Sequence, residues 1–262
     1  MCIRDRNLEY VENEDKWEIL IHSDEKIDTY IKSKTDKIEF QNWDEGTLIS
    51  LSMLDKLIDE NNMQKSKVKF YKTVEKVKKH LAMIFHRFIE EDNLQIYVNK
   101  NLLEAWNPFI RQNPATMELA CEELFDGKTI VSIEPYILPH KTKFEDEEAF
   151  KKAGGAKDWL AHQGFYVYRN RRLIVYGTWF GKFKKEPAYN LARIKLDMSS
   201  ESDFEWGIDI KKSKATLPVS IEESVIQIAY LAIEKSVAVY NSRGVYNCLL
   251  YTSPSPRDRT RS

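Results

Sequence analysis

The side chains of this chain that could do chemistry are plentiful, but they are not spaced for a self-contained reaction. The five histidines, His22, His80, His86, His140 and His162, show none of the His, Cys and Glu spacings that hold a zinc ion. His80 and His86 stand six residues apart and fall on different sides of a helix. There is no G-x-x-x-x-G-K-[ST] loop or G-x-G-x-x-G turn to cradle a phosphate, and no G-x-S-x-G elbow to present a serine. Carboxylates abound, yet no two can be paired in space from the sequence. What remains is cationic. Arg169-Asn170-Arg171-Arg172 crowd one turn, Lys211-Lys212-Ser213-Lys214 follow an apolar run, and seven lysines lie between Lys65 and Lys79, interleaved with Phe70 and Tyr71. Clusters of this kind either meet the phosphates or carboxylates of a ligand or partner, or form a solvated surface.

The elements that must position these groups alternate between strand and helix signals, giving an α+β class of fold. Residues 17–21 (WEILI), 37–40 and 46–51 read as strands, and 54–58 as a short helix. From Lys65 onward Val74, Val77, Leu81, Ile84, Phe85 and Phe88 recur at three- and four-residue intervals and predict a long helix. Residues 94–98 read as a strand before an Asn99-Lys100-Asn101 turn, and 129–133 as a strand closed by Pro135. The acidic run 145–148 with Ala153-Gly154-Gly155-Ala156 reads as a mobile surface loop. Residues 163–176 predict a β-hairpin, two aromatic and β-branched arms around the Arg-Asn-Arg turn. Strands are expected over 192–198 and 205–210. Pro218 then opens a helix over about 221–239, with Ser220 as candidate N-cap and Glu222 and Glu223 near its positive end.

Composition narrows the classes. The 262 residues carry 40 Lys and Arg against 41 Asp and Glu, a net charge of -1, which excludes bulk electrostatic binding to nucleic acid or membrane but leaves local patches open. No apolar run approaches the ~18 residues of a membrane span, and no secretory signal is present, so a cytoplasmic protein is expected. Both termini read as translated sequencing adapter. MCIRDR and CLLYTSPSPRD follow codon by codon from the two strands of a transposase adapter end, and Arg259 to Ser262 from an index continuation. Residues 1–6 and 248–262 are therefore expected to be artefact, and leaving them out removes five Arg and two Asp and lowers the charge from -1 to -4. Cys121, the one thiol left, cannot pair within the chain and is expected as a small buried hydrophobe in a helix-like stretch.

Three segments, in order, carry a resemblance. Glu45-Gly46-Thr47-Leu48-Ile49-Ser50-Leu51 is similar to the G-T-x-[IV] strand that ends the nucleotide-binding domain of the GHKL superfamily, the group of gyrase B, MutL, histidine kinases and MORC ATPases. Gly164 to Ile174 resembles the G-[IV]-x-[VI]-Y-x-N-N-R-L-I hairpin of MORC proteins and the F-V-N-G-R strands of MutL. It departs from them where Arg171 stands for Asn or Gly. Trp206 to Ala215 resembles the transducer strand whose loop lysine reaches the γ-phosphate of ATP. The short peptides Asn107-Pro108-Phe109 and Pro135 to His140 look like W-x-P-F and P-Y-x-L-P-H segments of the bacterial members.

The resemblance implies that residues 7–62 are the tail of an ATP-binding sheet and 63–247 a transducer-like domain of mixed sheet packed with helices. It implies Lys212 or Lys214 as the catalytic cation, with Lys211 beside it and Thr47 on the adenine side. Arg169, Asn170, Arg171 and Arg172 are candidate contacts to phosphate or to a partner. The N-box and D-x-G-x-G are absent, so the parent protein, not this fragment, is expected to bind ATP and Mg²⁺, hydrolyse ATP and dimerise. A role in DNA transactions or phage defence is the broader expectation. The alternative is a non-catalytic nucleic-acid or protein interaction module built on Lys65 to Lys79.

Overall fold

A computed structural model describes the backbone of residues 6–11 and 16–21 and the chain over residues 63–208 and 215–242. The chain divides into two compact units, Met1–Met63 and Gln64–Ser262. In the first, β1 (Arg6–Val11) and β2 (Lys16–Ile21) form an antiparallel pair with Leu8 opposite Ile19 and Tyr10 opposite Trp17. The strands expected at 37–40 and 46–51, and the helix at 54–58, lie outside the described residues.

The second unit opens with α1 (Met63–Ile84) and, after a one-residue break at Phe85, α2 (His86–Glu91). A two-residue hairpin follows, β3 (Tyr97–Val98) and β4 (Asn101–Leu102), turning through Asn99 and Lys100 at positive φ. The sheet comprises β5 (Met117–Glu118), β6 (Glu122–Phe125), β7 (Ile130–Ile137), β8 (Gly164–Arg169), β9 (Arg172–Thr178) and β10 (Ala192–Met198). β5 and β6 share the outer edge of β7, and β10, β8 and β9 follow. All pairs are antiparallel except β10 with β8, so the sheet is mixed and the class is α+β. Helix α3 (Glu147–Ala153) lies between β7 and β8 in sequence, and α4 (Val219–Asn241) is the last described element.

β7 does not stop at Pro135, as the sequence suggests, but runs two residues further. A proline fits a ladder only where no N–H is required. The Pro135 carbonyl accepts from Leu119 N–H, so both of its polar backbone positions face the outer edge, in the gap between the end of β5 and the start of β6. Cys121 lies in that gap, exposed, with its Sγ 3.5 Å from Ser132 Oγ. It is not the buried helical residue expected, because the edge strand is interrupted there.

The two faces of the sheet have different chemistry. Along β10, Ala192, Ile194, Leu196 and Met198 point to one face and meet α4, whose Ile221, Val225, Ile228, Ala229, Ala232 and Ile233 recur at helical spacing and are buried. Each fully buried aliphatic there stabilises the fold by about 1.5–3 kcal/mol. Arg193, Lys195 and Asp197 alternate onto the other face, beside Tyr136, Tyr166 and Tyr168, under Met83, Ile84 and Phe109. Lys195 bonds Glu134 at 2.8 Å, Arg87 bonds Asp197 at 2.5 Å, and the Tyr168 hydroxyl meets His86 Nε2 at 2.8 Å.

Arg193 is wholly buried without a carboxylate. Its guanidinium lies 5.2–5.9 Å from the ring centres of Trp159, Trp106 and Tyr166 and donates to the Pro108 carbonyl. It also lies 3.5 Å from the Ala153 carbonyl at the negative end of α3. The indoles of Trp159 and Trp106 take the neighbouring carbonyls of Phe150 and Lys152. The segment read as a mobile loop is thus a helix, N-capped by Asp146 and held at its far end by three donors. Gly155, at φ +85, passes so close to Trp106 and His162 that a Cβ would come within 2.7 Å and 2.8 Å of them.

The Tyr166 hydroxyl donates to the His162 carbonyl at 2.8 Å, so the contact from His162 Nδ1, 3.1 Å away, must be a donation from Nδ1–H. Nε2 is then a bare acceptor facing Gly155, consistent with its lack of a partner. Burial first, and the Arg193 charge second, depress the His162 pKa to about 3, while burial pushes the Tyr166 hydroxyl up to about 12.

Between about pH 6.5 and 3 the unfolded chain therefore binds a proton at His162 that the folded chain does not, and stability must fall as pH falls, by up to about 1.4 kcal/mol per unit. Urea denaturation across pH 5–6.5 should show this slope, reduced in His162→Asn, which keeps a donor for Tyr166. Arg193→Ala, which strips α3 of its clasp and opens a cavity, should cost on the order of 3 kcal/mol in the same measurement at neutral pH.

Candidate functional site

The hairpin formed by β8 and β9 carries the four candidate tip residues. Asn170 and Arg171 have φ of 45° and 70°, the double left-handed conformation of a two-residue type I′ turn. Arg171 thus takes the strained place that Asn or Gly fills in the resembled hairpins. The strain, about 1 kcal/mol, is offset by contacts that the side chain makes with α2. Its guanidinium bonds Glu91 at 2.5 Å and Asp92 at 3.0 Å, over the Phe88 ring. Arg172 is exposed and lies over the Phe85 ring, 5.4 Å from its centre. Arg169 grips Asp203 with two bonds, at 2.5 and 2.6 Å. Asn170 donates its N–H to Met198 and accepts through Oδ1 from Ser200 N–H. The tip is therefore a joint between α2 and the turn after β10, with Arg169 and Arg171 both engaged by carboxylates.

Sequence reasoning did not find the group to which that turn is tied. Asp126, at the end of β6 and only 2% exposed, accepts through Oδ1 from the N–H groups of Lys128 and Thr129 at 2.9 and 2.8 Å. Through Oδ2 it accepts from the Trp206 indole at 3.0 Å, and its carbonyl accepts from Ser220 Oγ at 2.7 Å. Thr129 and Ser202 join the β6–β7 turn to the same knot through their hydroxyls, 2.7 Å apart. Burial alone would raise the Asp126 pKa. Hydrogen bonds from Ser202, the Thr129 and Lys128 amides and Trp206 outweigh it and hold the carboxyl below its usual range.

The strand expected over 205–210 is replaced, up to Gly207, by a short 3-10 turn at Ser200–Ser202 and further turns, with Trp206 buried in the knot. The signal was present: Ser199-Ser200-Glu201-Ser202-Asp203 is rich in residues whose side chains bond their own backbone, and Ser199 does so with Glu201 N–H. Ser220 is not an N-cap, since α4 begins at Val219 and the Ser220 hydroxyl serves Asp126 instead.

Lys211, Lys212, Lys214 and Thr47 lie outside the described residues. The flanks of the lysine segment are described: Thr216 N–H donates to the Trp206 carbonyl at 2.7 Å, and Thr216 Oγ1 donates to the same oxygen at 3.1 Å. The two described flanks of the lysine segment, Trp206 and Thr216, thus meet beside Asp126. Among the described residues no group of His, Cys, Asp and Glu is arranged to hold a metal, and no helix is long and apolar enough to cross a membrane.

Comparison of the chain with models of protein families, with curated proteins and with solved structures gives no match.

Asp126→Ala removes the shared acceptor of two turns and an indole, and should lower stability by about 2–4 kcal/mol. It should also open the base of the 207–215 segment, so that trypsin cleaves there at a lower concentration than in the parent chain. Unchanged cleavage at Lys211, Lys212 and Lys214 would show that the knot does not hold this segment.

Proposed function

We propose that this chain is the transducer-type region of a GHKL-like ATP-binding protein, in which the lysine segment after Trp206 completes a nucleotide pocket supplied by other sequence. The observation that carries this reading is the return of the chain to Trp206 through Thr216 at the Asp126 knot. In the sequence three lysines lie between these two described ends, one bonded to Asp126 after β6 and the other leading into α4. A compact ammonium on a flexible stem suits a γ-phosphate, because it can follow the group and stabilise charge spreading onto the γ-oxygens and the leaving group. When the phosphate leaves, the loop loses its ligand, and the change passes to α4 and to the hairpin tip through Asp126, Ser220, Asp203 and Arg169.

In this reading Lys212 or Lys214 provides the cation and Lys211 supports it. Thr47 belongs to the adenine side, and ATP with Mg²⁺ is held chiefly by the parent protein. Arg169 and Arg171 act through the tip joint rather than on phosphate. The parent would dimerise on binding ATP, in the cytoplasm.

The test is ATP turnover by the parent protein with the N-box and D-x-G-x-G region in place. Lys212→Ala or Lys214→Ala should lower kcat by about 10²–10³-fold, the usual cost of removing one preorganised donor to a developing charge. A complete parent that neither binds nor hydrolyses ATP overturns the family reading. A parent that hydrolyses ATP equally well with both lysines replaced overturns the assignment of the cation.

A further inference from the structure

Helix α1 carries a charge pattern that the nucleotide reading does not use. At 100° per residue, Lys65, Lys69, Lys72, Lys76 and Lys79, spaced four, three, four and three apart, fall within about 80° of arc and along about 21 Å of axis. All five are exposed. The one acidic residue in the run, Glu75, lies off this arc and is bonded to Lys78 at 2.7 Å, itself off the arc. The side chains of Lys72, Lys76 and Lys79 make no hydrogen bond or ion pair among the described residues. The stripe ends where its next position is Met83 and the helix enters the core.

The kind of partner follows from what shares that arc and what does not. Phe70, Val74, Val77, Leu81 and Ile84 lie roughly 100–180° around the helix. That side is already engaged along part of its length, with Ile84 buried in the core and Val74 and Leu81 half-buried, so it is not a free apolar face for a bilayer to receive. Protein interfaces are depleted in lysine and are anchored by apolar or aromatic residues, and none stands between these lysines on the stripe. Phe70 and Tyr71 are 38% and 53% exposed but off the arc, so no ring is placed for stacking on unpaired bases. A regular row of ammonium groups needs only a regular row of phosphates.

We propose that the lysine stripe of α1 is a sequence-independent contact for the phosphate backbone of duplex DNA. The contact is independent of the nucleotide reading and would survive its failure.

The test is fluorescence anisotropy of the full chain with a labelled DNA duplex over a salt series. Three to five phosphate contacts predict a slope of log K against log salt of about -2.7 to -4.5. Three contacts alone amount to an affinity loss of about forty-fold between about 50 and 200 mM salt. The triple variant Lys72→Gln, Lys76→Gln, Lys79→Gln, which retains helix-forming residues, should make the slope shallower by about 2.7. Lys67→Gln with Lys78→Gln, off the arc, should leave it nearly unchanged. Circular dichroism confirms that the variants are folded. No binding at the lowest salt overturns the proposal. So does binding that the triple variant retains, or a preference of the same stripe for anionic lipid vesicles over duplex.

Discussion

A carboxylate taken out of water must be given hydrogen-bond donors, and at Asp126 they come from the β6–β7 turn and from Trp206, while α4 binds the backbone carbonyl of the same residue. Two backbone amides close the β6–β7 turn on one oxygen, and the Trp206 indole reaches the other. Ser220, in the first turn of α4, fastens to the carbonyl of the same residue. Segments separated by up to 94 positions are thus fixed by one short side chain and its own backbone. The start of α4, the turn that holds Trp206 and the return of Thr216 to Trp206 thus meet at this residue. Arg169 and Asn170 extend the constraint to the hairpin tip, and Arg171 carries it on to α2.

The sheet divides the rest of the work between its faces. The α4 face is aliphatic and gains stability from burial alone, without regard to direction. The opposite face is built from tyrosines, histidines and charged groups, each needing a partner in a set geometry, so it specifies one arrangement of the covering segments. Arg193 is the extreme member. Its charge is compensated by three aromatic faces, by carbonyls and by the end of a short helix rather than by an acid, which ties α3, residues 106–108 and the sheet into one assembly.

This division explains what could be read from the amino acids. The hairpin was legible because aromatic and β-branched arms flank a polar turn, and α4 because its apolar residues keep a helical period. Strand β10 was legible as a strand, but its alternation of Ile and Leu with Arg, Lys and Asp looks like that of a sheet with one face in water. Only distant residues, Trp106 and Trp159 among them, decide that Arg193 is buried. α3 was hidden because its stability lies less in its own seven residues than in donors from elsewhere. The stretch 205–207 was misread because Trp206 favours strands by composition, while its burial here is set by Asp126, 80 positions earlier. For the proposed nucleotide contact the sequence offers only the lysines and Thr47, which lie outside the described residues.

Pro135 has a consequence beyond its own strand. By denying the outer ladder a donor midway, it splits the border of the sheet into a two-residue and a four-residue piece with Cys121 between them. An unbroken border of eight residues would be a template on which a second polypeptide could extend the sheet, the first step toward fibrils. Divided in this way, neither piece of this border is long enough to seed such growth, which leaves the seven-residue β9 as the continuous edge of the sheet.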